Sequence, residues 1–180
     1  MNSLEKTSHL IECDHFAKKY RRSGDYKSDT KLEGKLGKHG DVWRAETELS
    51  DFDTTLDDPT NKYRHHDVAL TEMTPDDFIK AQYEQYRIKH YGHEYPVSFE
   101  DWINHDSNRV DEYRKILSGE KHKPVGDIYG PDSKLPIPIL EYDEEGKLSG
   151  FQEGLHRGLA AKSAGMETMP VLIAVKRVRY

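Results

Sequence analysis

The chain has 180 residues, 34% of them hydrophobic and 33% charged, and carries a net charge of −6. That is enough for one domain with an extension around a modest core. No apolar run approaches the about 18 residues of a membrane span, and the N-terminus lacks the apolar segment of a signal peptide. The single cysteine, Cys13, excludes an internal disulfide and fits a reducing cytoplasm.

The charge is unevenly spread. Residues 1–40 hold nine Lys/Arg against six Asp/Glu, residues 66–150 ten against eighteen, and residues 151–180 five against two. The net negative charge argues against indiscriminate nucleic-acid binding, while the locally basic C-terminal segment favours a phosphate ligand there.

Residues 4–22 place Leu4, Leu10, Ile11, Phe16 and Tyr20 at roughly helical spacing and end before Gly24. From Arg22 to Gly40 the composition is that of a linker or flexible arm. The expected organisation is therefore an N-terminal extension, 1–40, followed by an α+β domain, 41–180. Within that domain, Asp41 to Ala45 reads as the start of a strand anchored by Trp43. The acidic stretch of Asp51, Asp53, Asp57 and Asp58 fits no calcium-loop spacing and reads as a solvated loop. His65-His66-Asp67 and His90 with His93 lack both a thiol partner and a His-x₃-His pair, which argues against zinc.

Asp67 to Met73 alternates and predicts a strand. Thr74 is a good N-cap, Pro75 suits the first helical position, and Asp76 and Asp77 complement the dipole of a helix running to about His90. Tyr83, Tyr86, Tyr91 and Tyr95 can stack on bases or pack as core with a wet rim. Ser98 caps a short helix through Ile103, and Ser107 or Asn108 caps another that ends before Gly119. Residues 121–134 form a Gly- and Pro-containing connection or lid.

The C-terminal third is the most informative. Ile137 to Tyr142, opened by prolines, fits an edge or first strand. Asp143 to Lys147 is a turn and Leu148 to Gln152 the returning strand. Gly154 allows a sharp bend into a helix beginning near Leu155, closed by Gly165. Val171 to Val175 then has the continuous apolar run of a strand buried on both faces.

That order aims a Glu, a His, an Arg and a helix N-terminus at one point. Free N–H groups and the positive end of the helix dipole suit phosphate there. Gly154, Leu155, His156 and Arg157 are the candidate phosphate-binding residues, with Arg157 offering a planar fork. Glu153 and His156 are the candidate catalytic pair, and Glu153 the candidate Mg²⁺ ligand. The plain alternative is an exposed Glu153–Arg157 ion pair, worth about 0.3–0.5 kcal/mol.

The segment Glu153-Gly154-Leu155-His156-Arg157, then Ala160-Ala161-Lys162-Ser163-Ala164-Gly165, then Met169-Pro170-Val171, resembles the ParB/sulfiredoxin-like superfamily. The likeness covers about residues 135–175. Met73-Thr74-Pro75-Asp76-Asp77-Phe78 is similar to an upstream element of the small ParB-like domains of phages and mobile elements. The resemblance implies a small mixed sheet with packed helices and a site for a nucleoside triphosphate, CTP or ATP, with Mg²⁺. Two family activities do not carry over. Leu155 stands where sulfiredoxins have their catalytic cysteine, and the chain stops at Tyr180 without the helix-turn-helix and dimerisation domains of the chromosome-segregating members.

Three readings stay open at this point. The first is a cytoplasmic nucleotide-binding protein that hydrolyses its ligand or acts on nucleic acid. The second is a metal-dependent nuclease of the ParB-like class. The third is a non-enzymatic accessory module whose N-terminal extension meets DNA or a protein assembly, with no membrane partner.

Overall fold

The computed structural model describes residues 36–44, 66–90, 97–104, 107–120 and 134–176; at 67, 68, 107 and 150–153 it describes the backbone alone. Its strands are β1 (Trp43–Arg44), β2 (His66–Met73), β3 (Leu135–Pro136), β4 (Ile139–Tyr142), β5 (Leu148–Glu153) and β6 (Met169–Lys176). The helices are α1 (Pro75–Lys89), α2 (Phe99–Ile103), α3 (Ser107–Leu117) and α4 (Leu155–Ser163), with a 3-10 turn at Gly37–Asp41. The class is α+β, as the sequence implies.

The main sheet has the order β2-β6-β4-β5. Its centre is β6, in which every residue from Met169 to Val175 is buried, so both faces of the strand are covered. Fully burying one such Val, Leu or Ile contributes about 1.5–3 kcal/mol. β4 runs parallel to β6, whereas β2 and β5 run antiparallel to their neighbours. β4 is therefore an interior strand and not the edge its prolines suggest. Pro136 and Pro138 precede its ladder, and β3, which contains Pro136, pairs in parallel with β1.

Helix α1 starts as the sequence indicates. The Thr74 side chain accepts a hydrogen bond from the Asp77 amide at 3.1 Å, with Pro75 at the first position. Its buried face carries Phe78, Ile79 and Ala81 and also two amides, Gln82 and Gln85. Gln82 Nε2 donates to Gln85 Oε1 at 3.0 Å, and the two side chains reach the Ile139 and Glu141 carbonyls at 3.5 Å. These amide bonds tie α1 to the backbone of β4.

Ser98 caps α2 by accepting from the Asp101 amide. α4 ends in a Schellman turn, with Gly165 at φ 71°, its amide on the Lys162 carbonyl and the Met166 amide on the Ala161 carbonyl. Between α1 and α4 the contact is close. A Cβ on Gly158 would stand 2.5 Å and 2.8 Å from two ring carbons of Phe78.

The reading of residues 22–40 as a linker gives way at its C-terminal end. Leu36 and His39 are buried beside the 3-10 turn, and Leu36 and Trp43 belong to the core. His39 Nε2 lies 2.9 Å from Glu72 Oε1 on β2, and Lys134 Nζ donates to the Gly40 carbonyl. Two leucines, Leu32 and Leu36, in a polar stretch are a weak signal, which is why composition alone suggests an arm. The expected helix over 4–22, the rest of that arm, the acidic stretch 51–58, and residues 91–96 and 121–133 lie outside the described residues. Among the described residues no helix is long and apolar enough to cross a membrane.

Candidate functional site

The hairpin of β4 and β5 sets up the site. Asp143 Oδ1 accepts from the amides of Glu145 and Lys147 at 3.0 and 2.9 Å, and Gly146, at φ 83°, closes the turn onto the Asp143 carbonyl. The returning strand ends with Glu153 opposite Ile139. The next residue, Gly154, begins the helix.

Gly154 has φ 102° and ψ 12°, the left-handed region. Space as well as conformation demands glycine here. A Cβ would run into the Pro138 ring and stand 3.1 Å from Pro138 Cα. The first bond of α4 joins the Gly158 amide to the Gly154 carbonyl at 3.0 Å. The amides of Leu155, His156 and Arg157 precede that bond and so have no partner within the helix.

How the helices treat their first turns differs. α1 has the Thr74 cap with Asp76 and Asp77, and α2 has the Ser98 cap with Glu100 and Asp101. α3 has no acidic residue in its first turn, and α4 has neither such a residue nor a side-chain cap. Within the first turn of α4 no carboxylate offsets the positive end of the helix dipole.

The predicted site residues divide into three groups. Gly154, Leu155 and His156 are half-buried at the helix start. The side chain of Glu153, the candidate base and Mg²⁺ ligand, lies outside the described residues, while its backbone closes β5 beside Gly154. Arg157 lies deeper. It is 2% exposed, and its Nη1 donates to the Pro136 carbonyl at 2.7 Å. Its Nη2 would stand 3.4 Å from a Cβ at Gly154, so the guanidinium packs directly beneath the cap.

Sequence reasoning missed the part played by Pro136 and Pro138. They read as the opening of a strand, whereas one supplies the carbonyl that holds Arg157 and the other walls in Gly154. A Pro-x-Pro immediately before a strand is the available signal, since it delivers rigid backbone with few donors.

Of the other candidates, Tyr83 and Tyr86 pack against each other and against α2. Tyr83 and Tyr86 stack with centroids 6.2 Å apart, Tyr83 lies 5.3 Å from both Phe99 and Trp102, and its hydroxyl donates to the Val97 carbonyl. Their faces are thus engaged within the α1–α2 corner. His66 is buried with its Nε2 3.8 Å from Glu141 Oε1, and His90 lies against Tyr86. Among the described residues no group of three or more His, Cys, Asp or Glu side chains is placed to hold a metal ion. No protein-family model, curated protein or solved structure matches this chain.

Proposed function

We propose that this chain binds the phosphate groups of a nucleotide at the turn formed by residues 154–157, as the ParB/sulfiredoxin-like proteins it resembles in sequence do. The observation that carries the reading is the bare start of α4: a left-handed glycine, no side-chain cap and no first-turn acid, where α1 and α2 have both cap and acid. A phosphate oxygen accepting from the Leu155, His156 and Arg157 amides would supply the missing negative charge. The buried Arg157 guanidinium beneath the turn adds positive potential where the dielectric is low.

Catalysis is a further step of the same proposal. His156 can donate to a phosphate oxygen or move a proton near neutral pH. Glu153, next in the chain, would be the base that takes a proton from an attacking water. Mg²⁺ characteristically binds through one or two carboxylates together with substrate phosphates. The alternative role of Glu153 is as the protein ligand of Mg²⁺, with phosphate and water completing the set.

One observation favours a second reading, a non-enzymatic accessory module. An Arg157 that already fastens two elements makes the turn complete as structure, with or without a ligand. Thermal unfolding against CTP, ATP, GTP and UTP, with and without Mg²⁺, separates the two. A nucleotide at 100 times its Kd adds about 2.7 kcal/mol. His156→Asp should abolish that shift, because its carboxylate occupies the helix start; the same carboxylate favours the helix by about 0.3–1 kcal/mol, so the fold should survive. No shift with any nucleotide in the unsubstituted protein decides for the module.

A further inference from the structure

We infer that Arg157 is a positioning residue: it shapes and charges the phosphate-binding backbone from below and does not touch the ligand. This rests on residues 154–157 being the phosphate site, and it replaces the fork that sequence alone assigns to this arginine.

Strand geometry shows why an arginine is needed. In β3 the amide of Leu135 donates to the Val42 carbonyl at 2.9 Å, and that of Ile137 donates to the Arg44 carbonyl at 3.1 Å. Alternate residues of a strand direct their polar groups to opposite edges, so the intervening Pro136 carbonyl faces away from β1. Among the described residues no strand pairs at that other edge. Arg157 Nη1 meets the carbonyl there at 2.7 Å, standing where a strand neighbour's amide would be.

The same planar group extends to the underside of the turn, with Nη2 at 3.4 Å from the Cβ position of Gly154. One side chain thus joins α4 to β3 and packs beside the left-handed cap, which brings its charge close to the amides of the turn. To fork a phosphate it would have to leave a carbonyl buried without that donor and come out from 2% exposure. Its burial fits acting through the backbone. A lysine at this position keeps the charge but replaces the rigid fork with one ammonium, which cannot serve both places at once.

The test uses inorganic tripolyphosphate and the full chain, followed by NMR at a temperature where each variant is folded. In the unsubstituted protein, saturation should move the Leu155 and His156 amide resonances and leave the Arg157 Nε–Hε resonance in place. Arg157→Lys should displace the Gly154 and Leu155 amides before any ligand is added and weaken tripolyphosphate binding tenfold or more. A moved Arg157 Nε–Hε resonance on titration would show direct contact and overturn the inference, and that measurement needs no variant to fold. A folded Arg157→Lys protein that binds tripolyphosphate as tightly as before would reduce Arg157 to a structural brace and also overturn it. If the unsubstituted protein binds neither tripolyphosphate nor nucleotide, the phosphate reading itself fails, and the inference with it.

Discussion

Replacing Gly154 by alanine tests the architecture of the site without reference to any ligand. Two costs add there. A side chain at φ 102° is held in the left-handed region, at about 1–2 kcal/mol. The new methyl group also meets Pro138, which is buried and rigid and cannot swing aside, at the about 1–3 kcal/mol of an overpacked core. The sum is about 2–5 kcal/mol. Gly165 provides the internal reference. It too is left-handed, at φ 71°, but nothing lies within 4 Å of its Cβ position, so Gly165→Ala should lose only the conformational part. Equilibrium urea unfolding measures both. At a slope of about 2 kcal/mol per molar, Gly154→Ala should lower the midpoint by roughly 1–2.5 M and Gly165→Ala by less than half the larger figure. Equal losses in the two variants would show that the Pro138 contact counts for nothing. An unchanged midpoint in Gly154→Ala would mean that the left-handed cap itself is wrong.

Two further outcomes follow from the packing and the charges. Gly158→Ala should cost about 1–3 kcal/mol through its collision with Phe78, and Phe78→Leu in the same chain should return part of it, a coupling of about 0.5–3 kcal/mol visible in a double-mutant cycle by thermal or urea unfolding. Strict additivity of the two changes would refute the contact. Asp111 is held below the ordinary aspartate range by hydrogen bonds from Lys115 first and Arg114 second. Its folded value is thus the lower one, so its contribution is present above the unfolded value and fades as pH falls through the folded one. An NMR titration should place the Asp111 midpoint low, and Lys115→Met or added salt should raise it, since the group is exposed and screened. A midpoint unmoved by either would remove the ion-pair explanation.

How far the sequence could be read depended on whether a signal was local. The start of α1 was legible because Thr74, Pro75, Asp76 and Asp77 each act within one turn. Ser98, Gly146 and Gly165 were legible for the same reason. The apolar run Val171 to Val175 required burial on both faces, and β6 has it. Partners distant in the chain were not legible. Nothing around Arg157 says that its guanidinium would meet Pro136, because that carbonyl is freed only by the pairing of β3 with β1. Likewise, the prolines before Ile139 suggested an edge strand, since their neighbours across the sheet are contributed from elsewhere. His39 beside Glu72 is a third case, a polar residue in a polar stretch made structural by a partner on β2.

The place of β6 has a consequence for how the protein is made. The strand at the centre of the sheet comes after every other described element in the chain, and β2 has its ladder only with β6. On the ribosome, Thr71 waits for Val171 while roughly a hundred residues are added, about 5–20 s of synthesis at usual rates. Through that interval β2 has no central strand to join and is exposed to mispairing and to chaperones, and the β4–β5 hairpin joins the wait only near its end. The nascent chain therefore has no productive halfway sheet. Translation that stalls before Met169 leaves strands without a template, and not a smaller version of the domain.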